Sequence, residues 1–422
     1  MGWSPQQEKA LKEVELWWKH RRHTQRVFKL FGYAGTGKTT LANFFAQSLG
    51  VSVLFMAFTG KAVKVLIEKD CKPASTIHRA LFRASEPDKE RIKSLEDKIN
   101  EVRKQLFEHY KLDCKDEEEV EAKIEATPHL QELYHQLELQ RKIASKPNFE
   151  FREHNDLSKV ALGIVDECSM INNELGQALM DSGVPLLVMG DPAQLPPVEG
   201  QGFFTEGQEP DFVLTEIHRQ ASDNPIIHMA TLIREGKELP LGTYGESRVI
   251  LKKDLDFGTV DSADMNICFK NATRNTWNRR IRHLKYSAES WVPVENEPVI
   301  CLRNDNEKGL INGAIFIVKS ITFVGSDTIH MTCYDDDYNL VDIECHASYF
   351  RDPQEAAKMH YWDRRAHSEF DYAHVITGHK AQGSQWEDVV VLNEMPKRFK
   401  EYRKWLYTCV TRAAHKITIV EM

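Results

Sequence analysis

Gly32-Tyr33-Ala34-Gly35-Thr36-Gly37-Lys38-Thr39 fits the phosphate-loop pattern G-x-x-x-x-G-K-[ST] at every fixed position. The apolar residues Val27, Phe28, Leu30 and Phe31 just before it read as a buried strand, and Thr40 to Leu49 just after it reads as a helix. Strand, glycine loop and helix N-terminus form the setting that such a loop requires. Glycines let backbone N–H groups turn inward around a polyphosphate, and the helix dipole favours the negative charge. In this reading Gly35, Thr36, Gly37 and Thr40 line the nucleotide with loop and helix backbone. Lys38 brings a point charge to the β- and γ-phosphates, and the Thr39 hydroxyl ligates Mg²⁺. The plain alternative is a chance glycine-rich turn. The full match and its flanks favour binding of a nucleoside triphosphate.

Working outward, further apolar runs follow at Val51 to Phe58, Val160 to Val165 and Val184 to Met189, each trailed by polar residues and a helix or loop. Strands alternating with helices imply a parallel sheet covered on both faces. Upstream, residues 5 to 25 read as one helix, with Leu11, Val14, Leu16 and Trp17 at near-helical spacing. Residues 86 to 142 break the pattern: they are charged, lack glycine, and place Ile92, Leu95, Ile99, Val102 and Leu106 at heptad steps. After an acidic patch from Asp116, the positions Val120, Ile124, Leu130, Leu133 and Leu137 continue helically. The expectation is two helices packed as an antiparallel hairpin, with a short strand in Ser145 to Glu153 pairing with Ala80 to Ala84.

Beyond residue 222 the α/β pattern returns with Met265 to Phe269 and a following helix. From Pro298 to Glu344 short runs of β-formers alternate with the turns Asn312-Gly313 and Gly325-Ser326-Asp327, as in a small inserted β-barrel. The α/β pattern resumes at Tyr372. The fold class expected is α/β, with two parallel-sheet units and an insertion in each.

The chain has 422 residues, enough for several domains, and a net charge of −8. That charge argues against a sticky nonspecific nucleic-acid binder but leaves room for a local basic channel. Eight cysteines contain no C-x-x-C pair, so no zinc site or disulfide framework is expected. No signal pattern opens the chain and no apolar run is long enough for a bilayer. A reduced cytoplasmic setting without membrane contact is the expectation.

A phosphate loop alone gives nucleotide binding. Ile164-Val165-Asp166-Glu167 adds two carboxylates at a strand end: Asp166 to hold Mg²⁺, Glu167 to orient and deprotonate the attacking water. Gln194, in Gly190-Asp191-Pro192-Ala193-Gln194-Leu195-Pro196-Pro197, is placed to contact the γ-phosphate; its bland reading is a proline-rich turn. Arg219 and Arg412 are candidate guanidiniums for the transferring phosphoryl group. Taken singly, each arginine is an ordinary surface residue.

The ordered set of these segments resembles superfamily 1 helicases, specifically the RecD-like (1B) group that includes the phage Dda helicase. The resemblance rests on the phosphate loop, Phe58-Thr59-Gly60-Lys61-Ala62-Val63, Ser75-Thr76-Ile77-His78, Asp166-Glu167-Cys168-Ser169-Met170 and the Gly190 to Pro197 segment. It continues with Thr215-Glu216-Ile217-His218-Arg219, Thr377-Gly378-His379-Lys380-Ala381-Gln382-Gly383-Ser384-Gln385 and Leu406-Tyr407-Thr408-Cys409-Val410-Thr411-Arg412. These segments span nearly the whole chain in the family's order.

The resemblance implies further roles. Gln7, in Ser4-Pro5-Gln6-Gln7, matches the glutamine that reads adenine. Thr59, Lys61, His78, Thr377, His379 and Ser384 match positions along a single-stranded DNA path, bonding phosphates rather than bases. The inserted barrel resembles the SH3-like domain of the group, and the movement implied is 5′-to-3′. Two departures stand out. Where Dda-like enzymes carry a short duplex-splitting pin, this chain carries the charged helical hairpin, and Gly60 stands where those relatives have histidine. If Ala80 to Ala84 and Asn148 to Arg152 form the base of such a pin, Phe149 and Phe151 are candidate wedge residues.

The sequence thus predicts two RecA-like domains: the first from 1–84 and 153–221, interrupted by a hairpin or pin region at 85–152. The second comprises 222–297 and 372–422, interrupted by an SH3-like barrel at 298–371. The expected protein is a monomeric, ATP- and Mg²⁺-dependent DNA helicase acting on single-stranded and forked DNA. The acidic hairpin is the candidate contact for a protein partner, and a phage-encoded copy would act in the bacterial host cytoplasm. Alternatives are an RNA helicase of the same superfamily and a nucleotide-switched scaffold.

Overall fold

The computed structural model describes residues 2–84, 89–111, 114, 116–145, 149–151, 155–197, 200–207, 209–216, 224–305, 308, 310–359 and 367–422. The chain divides into a larger body (Met1–Leu81, Glu153–Ala357 and His367–Met422) and a smaller one (Phe82–Arg152 and Lys358–Ala366).

The larger body holds two sheets of RecA-like pattern. In the first, the strands Ala74–Thr76, Val53–Ala57, Leu162–Val165, Leu186–Gly190, Val27–Gly32 and Phe212–Leu214 lie side by side in that order, all parallel. Val53–Ala57, Leu162–Val165 and Leu186–Gly190 are buried at every position, as a sheet covered on both faces demands. In an open parallel sheet, ligands bind beyond the carboxyl ends of the strands. Here the phosphate loop, Thr59, Asp166-Glu167 and Asp191 all follow such strand ends.

The second sheet runs Val375–Thr377, Met265–Cys268, Trp386–Asn393, Ala413–Glu421, Ser247–Leu251 and Gly242–Tyr244, parallel except for the last pair. Between its strands the chain builds a five-stranded antiparallel sheet from Pro298–Cys301, Ile315–Val324, Thr328–Tyr334, Leu340–His346 and Phe370–Tyr372. Thr328–Tyr334 alternates buried and part-exposed residues, and Val299, Phe316, Val318, Ile329, Met331, Ile343 and Phe370 form a separate core.

The N-terminal helix is shorter than expected. Ser4 and Gln7 form a capping box, Pro5 occupies the first turn, and the α-helix ends at Leu16. One π-helical turn, Trp17–Arg21, follows. It leaves Trp17 fully buried, with its indole N–H donating to the Gln25 carbonyl at 2.6 Å.

Among its described residues the smaller body has three helices where two were expected: Lys89–Tyr110, Glu117–Glu125 and Pro128–Ser145. Asp116 starts the second by accepting the Glu119 N–H at 2.9 Å. Pro128 begins the third at a position where a missing N–H costs nothing. Leu95, Ile99, Val120, Ile124, Leu130, Leu133 and Leu137 form their shared core. Arg103 ties the three together through Glu121, Glu125 and the Tyr134 hydroxyl. The expected strand pairing occurs, in antiparallel register Phe82 to Phe151 and Ala84 to Phe149. The side chains of Phe149 and Phe151 lie outside the described residues.

Candidate active site

The phosphate loop takes the form its glycines require. Gly35 and Gly37 both sit at φ 79°, the left-handed region that other residues enter at a cost. A Cβ on Gly32 would fall 2.7 Å from Thr36 Oγ1 and 2.8 Å from Leu214 Cβ, so the loop closes only on glycine. Lys38 opens the following helix, whose first turn also contains Thr39 and Thr40. The Lys38 ammonium is folded over the loop, donating to the carbonyls of Gly32 at 2.7 Å and Tyr33 at 3.1 Å.

Gln7 supports this loop from below. Its side-chain amide donates to the Thr36 carbonyl at 3.0 Å, while its Oε1 accepts the Ser4 N–H at 3.1 Å. Gln6, passed over in the sequence, makes equally specific contacts. It accepts the N–H groups of Thr215 at 2.8 Å and Glu216 at 2.7 Å and donates to the Thr215 hydroxyl. The signal for it was present in the paired glutamines of Ser4-Pro5-Gln6-Gln7.

Opposite the loop stand the two carboxylates. Thr39 Oγ1 donates to Asp166 Oδ2 at 2.9 Å, and the Glu167 N–H donates to Asp166 Oδ1 at 2.8 Å. A hydroxyl and a carboxylate side by side suit a hard cation such as Mg²⁺, which completes its shell with water and phosphate oxygens. Glu167 is held at φ 54°, a strained setting for a residue with a side chain. Its side chain is only 24 % exposed. Burial pushes its carboxyl pKa up, Arg412 opposes the shift and Asp166 adds to it.

Arg412 arrives from the second sheet. Its Nη1 lies 4.0 Å from Glu167 Oε1 and donates to the Ser384 carbonyl at 3.2 Å, while its Nε donates to the Thr408 carbonyl at 3.1 Å. A cavity of ≈130 Å³ is lined by Lys38, Thr39, Asp166, Glu167, Asp191, Gln194 and Gly383, among others. Thus residues near 38, 166, 194 and 383 share one small space. Arg219 lies outside the described residues. Asp191, Gln382, Tyr407 and Thr408 also belong to this junction, and sequence reasoning did not single them out.

The strand-path candidates divide into groups. Thr59 caps the helix Gly60–Glu68, accepting the Ala62 N–H at 3.1 Å. A Cβ on Gly383, itself at φ 75°, would approach Thr59 Oγ1 to 2.9 Å, so Gly383 brings the 377–385 segment against Thr59. The Lys61 ammonium lies 4.9 Å from the centre of the Trp386 ring, and burial lowers its pKa. Trp386 was missed; its only signal was an aromatic directly after Gly383-Ser384-Gln385. Thr377 ends a strand, and its carbonyl accepts the Ala381 N–H at 3.0 Å, starting the turn that carries His379 and buried Ser384. His78 packs edge-on against Phe58 at 5.9 Å. Burial lowers the pKa of both His78 and His379, which favours their neutral, hydrogen-bonding forms.

Comparison with known proteins follows the same outline. Residues 3–253 match the family model described as an AAA domain, and residues 372–420 match a UvrD-like helicase C-terminal domain. The chain is 26% identical to the ATP-dependent RecD2 DNA helicase of Deinococcus radiodurans, across 92% of this chain and 46% of that protein. It therefore spans about half the length of that relative. Among solved structures, it resembles a Pif1 helicase from Bacteroides in complex with ADP-AlF3 and ssDNA. The TM-score is 0.53 and the identity 16%, over 99% of this chain and 92% of that one. A second resemblance is to a structure described as the basis for DNA unwinding at forked dsDNA by two coordinating Pif1 helicases. There the TM-score is 0.52 and the identity 17%, with the same coverage. At these identities the structural likeness speaks for the fold.

Proposed function

We propose that this chain, a member of the AAA-domain family, is an ATP-dependent DNA helicase of the RecD- and Pif1-like group of superfamily 1B. It would step along single-stranded DNA in the 5′-to-3′ direction. The observation that carries the reading is the convergence of Lys38, Thr39, Asp166 and Glu167 from one sheet with Arg412 from the other.

Each side chain then has a task. Lys38 and the amides of Gly35 to Thr39 bind the β- and γ-phosphates, with Thr40 extending the helix N-terminus behind them. Thr39 and Asp166 would hold Mg²⁺, which when bound offsets charge on the triphosphate. Glu167 orients the attacking water and accepts its proton. Arg412 meets negative charge as it develops on the transferring group, and Gln194 senses the γ-phosphate. Arg219 is assigned a second guanidinium role, and Gln7 a place beside the adenine, by resemblance. Thr59, Lys61, His78, Thr377, His379 and Ser384 grip the phosphates of one strand.

In this reading the first RecA-like domain comprises 1–84 and 153–221 and the second 222–297 and 372–422. The five-stranded sheet is an SH3-like insertion at 298–371. The helical region at 85–152 takes the place of the pin, with Phe149 and Phe151 as wedge candidates and its acidic helix as a surface for a protein partner. The protein would work as a monomer on forked DNA in the cytoplasm.

The direct test is ATP turnover with single-stranded DNA, with RNA of the same sequence, and without nucleic acid. Strong stimulation by DNA supports the reading. Preference for RNA would support an RNA helicase, and slow turnover unmoved by either would support a nucleotide-switched scaffold.

A further inference from the structure

Tyr407 is almost completely buried, yet it lies on a helix, Tyr402–Val410, whose neighbouring residues Trp405, Leu406, Cys409 and Val410 need no hydroxyl for packing. Its hydroxyl has two partners, both on the other sheet's loops. It donates to Asp191 Oδ2 at 2.6 Å and accepts the Ala34 N–H at 3.1 Å. Ala34 belongs to the phosphate loop. Asp191 is itself buried, and its other oxygen accepts the Ala193 N–H at 3.0 Å, shaping the turn that carries Gln194. Two further bonds fasten that turn to the second sheet. The Leu195 N–H donates to Thr408 Oγ1 at 2.9 Å, and the Gln382 amide donates to the Leu195 carbonyl at 3.1 Å.

Thr408 is also the residue whose carbonyl holds the Arg412 guanidinium. Tyr407 and Arg412 are separated by about one and a half helical turns of chain, so a shift of the first moves the second. We infer that Tyr407 is a positioning residue for ATP hydrolysis: its hydroxyl locks the phosphate loop and the Asp191–Leu195 turn to the helix that delivers Arg412. The inference rests on the ATPase reading above and adds a residue to it. Tyr407 touches no reacting atom. It acts by fixing Gln194 and Arg412 relative to the phosphate loop, which matters most when charge develops in the transition state.

Tyr407→Phe keeps the ring and its packing and removes only the hydroxyl. It leaves the Ala34 N–H and Asp191 Oδ2 short of a partner in a buried place. With saturating single-stranded DNA we expect kcat to fall roughly tenfold while KM for ATP stays within about twofold, with the melting temperature lowered by a few degrees because two buried groups lose a partner. If the tyrosine works through Asp191, Tyr407→Phe combined with Asp191→Asn should lose no more than the worse single variant. Wild-type kcat in Tyr407→Phe would overturn the inference, as would equal losses of kcat and ATP affinity, or additive losses in the double variant. The wild-type control separates the two levels. If it fails to hydrolyse ATP, the functional reading fails and takes this inference with it. If it hydrolyses and Tyr407→Phe matches it, the inference alone fails.

Discussion

The role proposed for Glu167 sets two demands in conflict: a general base must be ionised, and burial opposes ionisation. Arg412 and Lys38 push the other way, but the net shift is upward from the ordinary value of 4.5. A base with a raised pKa loses function as pH falls through that raised value. We therefore expect kcat/KM for ATP to show an acid limb above the usual carboxylate range, and the limb to be absent from the residual activity of Glu167→Gln. That variant should still bind ATP and Mg²⁺ and hydrolyse very slowly; collapse of ATP affinity would instead make Glu167 a structural or metal-holding residue. The same shift has a stability consequence. An acid whose folded pKa lies above its unfolded value destabilises the fold once ionised, and the penalty builds as pH rises between the two values. Glu167→Gln should thus melt at or above the wild-type temperature at neutral pH. Arg412→Ala should lower turnover by roughly a thousandfold with a much smaller effect on ATP affinity, as for other arginines that act on the transferring phosphoryl group. Equal losses in steady-state turnover and equilibrium binding would mark a ground-state clamp. The sequence revealed Lys38, Thr39, Asp166 and Glu167 because each lies in a contiguous motif tied to a strand end. It concealed Tyr407 because its bond to Asp191 joins residues 216 positions apart, and nothing local requires a hydroxyl there.

Among the elements, the helical region is the chain's main departure from the group it resembles. Its three helices share a core of their own, and Asp116 to Glu121 presents a run of carboxylates that would repel phosphates. An acidic surface suits a protein partner better than DNA. Replacing Asp88 to Arg141 by a short Gly-Ser linker should leave DNA-stimulated ATP turnover intact and impair strand separation or partner binding. Loss of turnover in a folded deletion variant would make the helices integral to the motor. Heptad spacing showed that this segment is helical and buries one face. It did not show the break into three helices: Asp116 acts as a cap that looks, in sequence, like one more acidic residue of a charged run, and Pro128 opens a helix without showing that Glu117–Glu125 forms one of its own. The strand runs of both sheets were easier to read, since a strand buried on both faces must be apolar throughout. The final strand of the five-stranded sheet, Phe370–Tyr372, was harder to place: it pairs with Pro298–Cys301, about seventy residues earlier, and has no turn signal linking the two.

Across the whole molecule, one small cavity is lined from both sheets and borders the segment proposed to hold the strand. Arg412 donates to the Ser384 carbonyl, in the segment expected to grip DNA, and stands beside Glu167 in the proposed hydrolytic site. In the proposed cycle, a movement of Arg412 would also pull on the segment assigned to DNA, a physical route from hydrolysis to stepping. Because the expected DNA contacts are to phosphates, affinity for single-stranded DNA should fall steeply with salt; a flat salt response would argue for base contacts instead. The sharpest experiment on this motor is ATP-dependent displacement of a labelled strand from duplexes with only a 5′ tail or only a 3′ tail. Unwinding is expected from the 5′-tailed duplex, abolished by Lys38→Ala in a folded protein. Efficient unwinding from the 3′ tail alone, or displacement that persists in Lys38→Ala, would contradict this expectation.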